Sequence, residues 1–337
     1  MSQRVRRRPT IEDVAREADV SRATVSRVLN GGTWVSPDAL ERVEAAIKKT
    51  GYRINPHARS LATRRAGSVA LLLTESHDRF FEDPNFSLIM RTAASALAEQ
   101  DLPLVLLLAD TAIEQKRAVS FMTGGHVDGA LVLSPHRGRQ SFLEDLIQAE
   151  VPLIAGGIPL GFESRVAYVQ AEDREGAKAM TRYLRSRGHQ RIAHIAGPQD
   201  TSGGTGRLAG YVEEMGADYS DDLVVTGDYS MASGERSMRE LLGRDVEIDA
   251  VFAANDLMAA GALAVIKDAG LTVPGDIALA GFDDSPVAAE LDPPLTTMRQ
   301  PFERIAREMV RQLLDMIDGK TAARISLPTE LVVRESA

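Results

Sequence analysis

Two different apolar rhythms divide the chain. Over the first fifty residues apolar positions recur at intervals of three and four in short runs, the spacing of amphipathic helices. Ile11, Val14, Ala15 and Ala18 form the first run, and Thr10 with Asp13 three residues later predicts a capping box at its start. Asp19-Val20 reads as a tight turn. Ser21 then caps a second helix that turns Val25, Val28 and Leu29 inward and stops at Asn30-Gly31-Gly32. Ser36-Pro37-Asp38 opens a third helix, with Leu40, Val43 and Ile47 as its expected buried stripe. From Ser68 the rhythm changes to unbroken apolar runs. Those at 69–74, 104–108, 127–133 and 151–155 read as buried strands, separated by helical stretches near 84–100, 113–123 and 138–149. A second series follows at 166–169, 191–196, 223–225, 250–254 and 277–282, again with helices between. Repeated strand–helix units predict doubly wound parallel sheets covered on both faces, and the number of strands predicts two of them. Ligands of such folds bind beyond the carboxyl ends of the strands, here in a cleft between two lobes.

Composition narrows the chemistry. At 337 residues the chain suits a small module attached to a larger, divided core. It has no cysteine, which removes disulfides, thiolate metal sites and thiol catalysis. No apolar run is long enough to span a bilayer, and the basic start MSQRVRRRPT lacks the apolar segment of a secretory signal, so a cytoplasmic protein is expected. The net charge of −9 conceals a strong asymmetry: residues 1–65 hold 14 Lys and Arg against 7 Asp and Glu, a net of +7, which leaves −16 on the rest. A basic head on an acidic body suits DNA binding at one end, where a solvated basic tail is the plainer alternative.

Three short helices with a tight turn between the first two make a helix-turn-helix, whose second helix enters the major groove. Its outward positions are Arg22, Ala23 and Arg27, while Ser21, Thr24, Ser26 and Asn30 are in reach of phosphates. The fork of Arg matches the paired acceptors of guanine, and Ala23 offers an apolar contact to a thymine methyl. An ordinary three-helix bundle with a charged face fits less well, because Ser, Thr, Arg and Asn share one face.

At this point a family resemblance becomes specific. TIEDVAREADVSRATVSRVLNGG, followed by VSPDALERVEAAIKKTGYRINPHARSLATRR, resembles the head and hinge of LacI-family transcriptional regulators. Asp19 departs from the glycine usual in that turn, but Asp tolerates the left-handed conformation better than most residues. EDREGAKAMTRYLRSRGHQRIAHIAGP, RLAGY, AVFAANDLMAAGAL, VPGDIALAGFDDSP, PPLTTMRQP and LPTELVVRES resemble the family's core motifs in the right order. The resemblance implies a helix-turn-helix domain at 1–54, a hinge helix and linker at 55–66, and an effector-binding and dimerisation core at 67–337. That core is similar to periplasmic sugar-binding proteins, with lobe one near 67–163 and 297–322 and lobe two near 164–296 and 323–337. It further implies a homodimer on a near-palindromic double-stranded operator, with Ala58, Arg59 and Leu61 of the paired hinge helices at the minor groove and Leu61 as the wedge. No coiled-coil segment follows LVVRESA, so a tetramer tail is not expected.

Within the core the resemblance places Phe80, Phe81, Arg207, Tyr229, Asn255 and Asp283 in the effector cleft. The chemistry suits a sugar, since a carboxylate and a guanidinium each take paired hydroxyls and an aromatic ring covers the apolar sugar face; purines use many of the same groups. For Arg207 and Asp283 a purely structural ion pair is the alternative. Gly156-Gly157 stands where many relatives carry a polar residue, which would leave extra room. With DRFFEDPNF and IAGPQDTSGGTGRLAGY it resembles the actinobacterial regulators of cellobiose and other β-glucosides, so a di- or oligosaccharide effector is expected, a purine or phosphorylated metabolite being the alternative. Gly203-Gly204-Thr205-Gly206 lacks the Lys-Ser/Thr of a phosphate loop and reads as a flexible loop. His189 and His194 lie on a turn running into a strand, which does not aim both at one metal. No Ser-His-acid set lies in a nucleophile context, so neither an enzyme, a cofactor nor a metal is expected, and an enzyme or sugar-binding protein using the cleft is the remaining rival.

Overall fold

The computed structural model describes residues 9–29, 35–52, 65–138 and 141–337, which fall into two compact units, 1–66 and 67–337. Asn30, Ala58, Arg59 and Leu61 lie outside the described residues.

The first unit contains α1 (Ile11–Ala18), α2 (Arg22–Leu29) and α3 (Pro37–Thr50). Thr10 and Asp13 form the reciprocal capping box, the Thr10 amide donating to the Asp13 carboxylate at 2.8 Å. Asp19 ends α1 in the left-handed conformation, φ 50° and ψ 50°, so the turn survives without glycine. The Ser21 hydroxyl accepts the Thr24 amide at 3.1 Å and starts α2. Val14, Ala15, Ala18, Val25, Val43 and Ala46 form the buried core. The inward stripe of α3 differs from the expected one. Ala39, Val43 and Ala46 are buried and Ile47 is half-buried, whereas Leu40 is 41% exposed. The helix presents the 39/43/46 face, and two alanines let α1 and α3 approach closely where leucine would hold them apart.

In the second unit β1 (Val69–Leu73), β2 (Leu104–Leu108), β3 (Gly129–Leu133), β4 (Leu153–Gly156), β5 (Ala167–Ala171) and β11 (Ile325–Leu327) form one sheet, ordered β11-β5-β4-β3-β1-β2. β6 (Ile192–Ala196), β7 (Val224–Thr226), β8 (Ala250–Ala253), β9 (Ala278–Asp283), β10 (Thr296–Arg299) and β12 (Glu330–Val332) form the other, ordered β12-β10-β9-β8-β6-β7. All neighbours pair parallel except β10 with β12. Central strands are buried on both faces, as β1 and β3 are throughout, while edge strand β2 is only half covered.

Sheet membership corrects the expected lobe limits. The apolar pattern puts Val166–Val169 at the start of the second series, but β5 pairs with β4 in the first sheet, Ile154 opposite Ala167. β11 then pairs with β5, Ile325 opposite Val169. The chain therefore passes between the lobes at 172, at 300–301 and at 328–329, and lobe one comprises about 67–171 and 302–327. An apolar strand carries no mark of which sheet it will join. The crossings are tied together: the Glu172 amide donates to the Leu327 carbonyl at 2.9 Å.

Helix α4 (His77–Glu82) and α5 (Pro84–Ala98) follow β1; α6 (Ala112–Phe121) and α7 (Ser141–Gln148) flank β3. In lobe two, α8 (Asp173–Ser186), α9 (Ser202–Met215), α10 (Met231–Gly243), α11 (Asp256–Asp268) and α12 (Pro286–Glu290) cover the second sheet, and α13 (Phe302–Ile317) returns to the first. The glycine-rich segment expected as a loop is the first turn of α9, capped by Thr201. Its glycines serve contact rather than mobility: a Cβ on Gly204 would stand 2.0 Å from the Pro198 carbonyl oxygen.

Candidate functional site

Strand ends at the facing edges of the two sheets open onto one cavity of about 160 Å³. Arg207, Tyr229, Asn255 and Asp283 all line it. Arg207 projects from α9 and is nearly buried; its Nε donates to Asp173 Oδ1 at 2.8 Å and its Nη1 to the Ala254 carbonyl. Its guanidinium also lies 4.0 Å from the centroid of the Phe282 ring. Burial alone would lower its pKa, but the Asp173 and Asp283 carboxylates outweigh that and raise it, so it stays charged. Asp283, at the end of β9, accepts from Gln300 Nε2 at 2.6 Å and from Asn85 Nδ2, across the cleft, at 3.0 Å; Arg207 Nη1 stands 3.5 Å away. Burial pushes the Asp283 carboxyl well above the usual range, with Arg207 pulling against it. Asn255 spends both polar ends inside lobe two, capping α11 through the Met258 amide and donating to the Tyr229 carbonyl, each at 2.9 Å. It therefore positions Tyr229.

The two phenylalanines depart from expectation. Phe80 turns into the hydrophobic core against Phe86, and Phe81 is 78% exposed. Phe86 and Phe302, with Tyr229, are the aromatic residues in the cavity wall. Asp83-Pro84 caps a new helix, so the residue one turn into α5, rather than the pair on the short α4, faces the cleft. That cap was the legible signal for Phe86. Gly156 and Gly157 also differ from the reading as free space. A Cβ on Gly156 would point at the Leu133 and Met309 side chains, 2.7 and 3.2 Å away, rather than into open space, and Gly157 has φ 93°, a backbone conformation that favours glycine.

Sequence reasoning missed Glu75, Arg79, Asp83, Asn85, Gln170, Asp173 and Gln300, all in the cavity wall. Most lie just beyond strand ends or on the first turns of helices, and Gln170 within β5; at such polar positions the apolar pattern carries no signal. Ser134, Tyr229 and Asp283, which line the cavity, all adopt positive φ, as does the adjacent Asp284. Backbone strain of this kind concentrates where a site must be held in shape.

His136 joins the lobes at the cavity rim, with Nε2 3.1 Å from Glu75 Oε1 in lobe one and Nδ1 3.0 Å from Asp200 Oδ2 in lobe two. The Arg137 amide adds a bond to the Asp200 carbonyl at 2.7 Å. Burial lowers the imidazole's pKa, but the bonds and charges of Glu75 and Asp200 more than reverse this, so it is raised above 6.5. A pKa raised by the contact means that its contribution is complete below the ordinary value and is lost as pH rises through the raised one. Thermal midpoints measured from pH 5.5 to 8.5 are expected to fall through that window in the wild type, and the step is expected to be missing in His136→Gln. Identical pH profiles would rule out the latch.

On the first unit, Ser21, Arg22, Ala23 and Arg27 are exposed on α2, and Thr24 and Ser26 are half-buried. Arg22 Nη1 lies 3.6 Å from Glu12, an exposed pair that a phosphate or base edge readily displaces. His189 ends the turn after α8, and His194 is sealed within β6, its Nδ1 2.7 Å from the Phe252 carbonyl. Among the described residues no group of three potential ligands is placed to hold a metal, and no helix is long and apolar enough to cross a membrane.

A helix-turn-helix head in one chain with a two-lobed, doubly wound core defines a class of ligand-responsive DNA-binding proteins. Residues 10–55 match the model of bacterial regulatory proteins of the lacI family, and residues 181–337 that of the periplasmic binding protein-like domain. The chain belongs to the lacI family of bacterial regulatory proteins. It is 45% identical to the HTH-type transcriptional regulator CelR of Thermobifida fusca, over 98% of this chain and 99% of that protein. It is 34% identical to the HTH-type transcriptional regulator GalS of Salmonella typhimurium, over 97% of this chain and 96% of the relative. Among solved structures, a CelR–cellobiose complex matches with a TM-score of 0.79 and 44% identity, covering 98% of this chain and all of that one. A lac repressor dimer bound to operator and the anti-inducer ONPF matches with a TM-score of 0.84 and 27% identity, covering 98% and 99%.

Proposed function

We propose that this protein is a transcriptional repressor that binds a near-palindromic operator as a homodimer and changes operator affinity when a neutral di- or oligosaccharide, cellobiose first among them, occupies the cleft. The observation that carries the effector class is the charge of the cavity wall. Four carboxyl groups, Glu75, Asp83, Asp173 and Asp283, face two guanidiniums, Arg79 and Arg207. Arg207 is held by Asp173, and Arg79 Nη1 by Glu75 at 2.9 Å, so each guanidinium already faces a carboxylate and the wall carries a surplus of acids over cations. Acids with Asn85, Gln170 and Gln300 suit hydroxyls, and Tyr229 and Phe86 suit sugar faces. This disfavours a phosphorylated metabolite. A purine lacks the array of hydroxyls that so many acceptors require, and the 45% identical relative is a regulator solved with cellobiose. The protein acts where the DNA is, in the cytoplasm, as a sensor, in keeping with relatives named as transcriptional regulators.

The dimer follows from DNA geometry, since one α2 offers too few base contacts and two-fold symmetry supplies the second half-site. Ala58, Arg59 and Leu61 are assigned to the minor groove by the same reading. The test is anisotropy of labelled DNA from upstream of the protein's own gene, at fixed salt because phosphate contacts make affinity steeply salt-dependent. Tight binding that shifts with cellobiose and not with glucose 6-phosphate or hypoxanthine is expected. Tight binding that responds to one of the latter two instead would overturn the sugar assignment.

A further inference from the structure

Three buried side-chain polar atoms among the described residues have no hydrogen-bond partner: Arg79 Nε, His194 Nε2 and Ser285 Oγ. His194 is enclosed between the rings of Tyr211 and Phe252, each 4.8 Å away, and Ser285 caps α12 outside the cavity wall. Arg79 alone of the three lines the cavity. It sits on α4 in lobe one, yet its guanidinium carbon lies 4.7 Å from the ring centroid of Tyr229 in lobe two and 5.7 Å from that of Phe86. Glu75 holds Nη1 at 2.9 Å, and Nε–H has no acceptor.

A donor taken out of water and given no acceptor is a cost the free protein carries unless something else supplies the oxygen. The same Glu75 carboxylate oxygen also meets His136, which reaches Asp200 of lobe two. Arg79, Glu75, His136 and Asp200 thus form a continuous polar chain from the cavity to the contact that joins the lobes.

Resting on the sugar reading above, we infer that Arg79 is a specificity-determining residue for the effector: its Nε–H donates to an oxygen of the bound sugar while its guanidinium stays against Tyr229 and near Phe86. Glu75 and His136 act as positioning residues that connect this contact to lobe two. A lysine keeps the charge at this position but supplies neither the planar fork that stacks on Tyr229 nor a donor at the Nε position.

Isothermal titration of the full-length protein with cellobiose tests this in wild type, Arg79→Lys and Arg79→Gln. Both variants are expected to weaken cellobiose binding by tenfold or more while thermal melting shows a single folded population. Wild type that binds cellobiose together with variants that bind within twofold overturns the Arg79 assignment and leaves the sugar reading standing. Wild type that binds neither cellobiose nor a longer β-glucoside such as cellotriose overturns both. Should neither variant fold, a crystal structure of the wild-type cellobiose complex decides. A sugar oxygen within about 3.2 Å of Arg79 Nε is expected, and a pose in which Nε faces no sugar oxygen overturns the inference.

Discussion

Arg207→Met is expected to destabilise the 67–337 unit by about 3–5 kcal/mol, the cost of removing one member of a buried charged pair, and to eliminate the cellobiose response of whatever protein remains folded. The substitution strips Asp173 of its 2.8 Å partner and the Ala254 carbonyl of its donor, and leaves Asp283 facing Asn85 and Gln300 without a cation. Urea unfolding followed by circular dichroism, with operator anisotropy on the same preparation, separates the two effects. A midpoint unchanged from wild type would mean that Arg207 is not holding the cleft together. Asp283→Asn is the milder counterpart: it keeps the shape of the side chain, and its cost is an NH2 turned toward one of the two amide donors, Asn85 or Gln300, that the carboxyl accepts from.

The second large effect concerns the head. Val25 has no exposed surface and sits among only five other buried side chains, all small or β-branched. Val25→Asp introduces a charge that this core has no cation to meet, a cost of several kcal/mol, which a unit of three short helices cannot absorb. Operator affinity is expected to fall more than a hundredfold, while cellobiose titration of the same full-length protein stays within twofold of wild type, because residues 67–337 have their own core. Arg22→Ala, which removes one exposed contact from a folded head, is expected to cost only about 1–3 kcal/mol in operator binding. If Val25→Asp lost no more than Arg22→Ala, α2 would not need its packing against α1 and α3 in order to read DNA.

Both results depend on features of very different legibility. The helix-turn-helix was readable because its determinants are local: the Thr10–Asp13 box, the Ser21 cap, the Ser36-Pro37 start and a few apolar positions per helix act within four residues of one another. Even there, which face of α3 turns inward was settled by how closely α1 approaches it, and Leu40 went out while Ala39 went in. The strands of the core were equally plain, since runs buried on both faces are apolar at every position.

The residue types and order of the chain determined two parallel sheets, a basic head and the absence of thiol chemistry, while the family resemblance carried by its motifs implied a cleft containing Arg207, Tyr229, Asn255 and Asp283. Tertiary structure alone decided that β5 and β11 join the first sheet, that Phe86 displaces Phe80 and Phe81, and that the glycines at 203, 204 and 206 start a helix. It alone brought Glu75, Arg79 and His136 to Asp200 and Tyr229, residues more than sixty positions away. Short-range caps and apolar periodicity act within a few residues and leave a trace in the order of amino acids. Contacts across a cleft are fixed by where three chain crossings set one lobe against the other, and no local pattern records that.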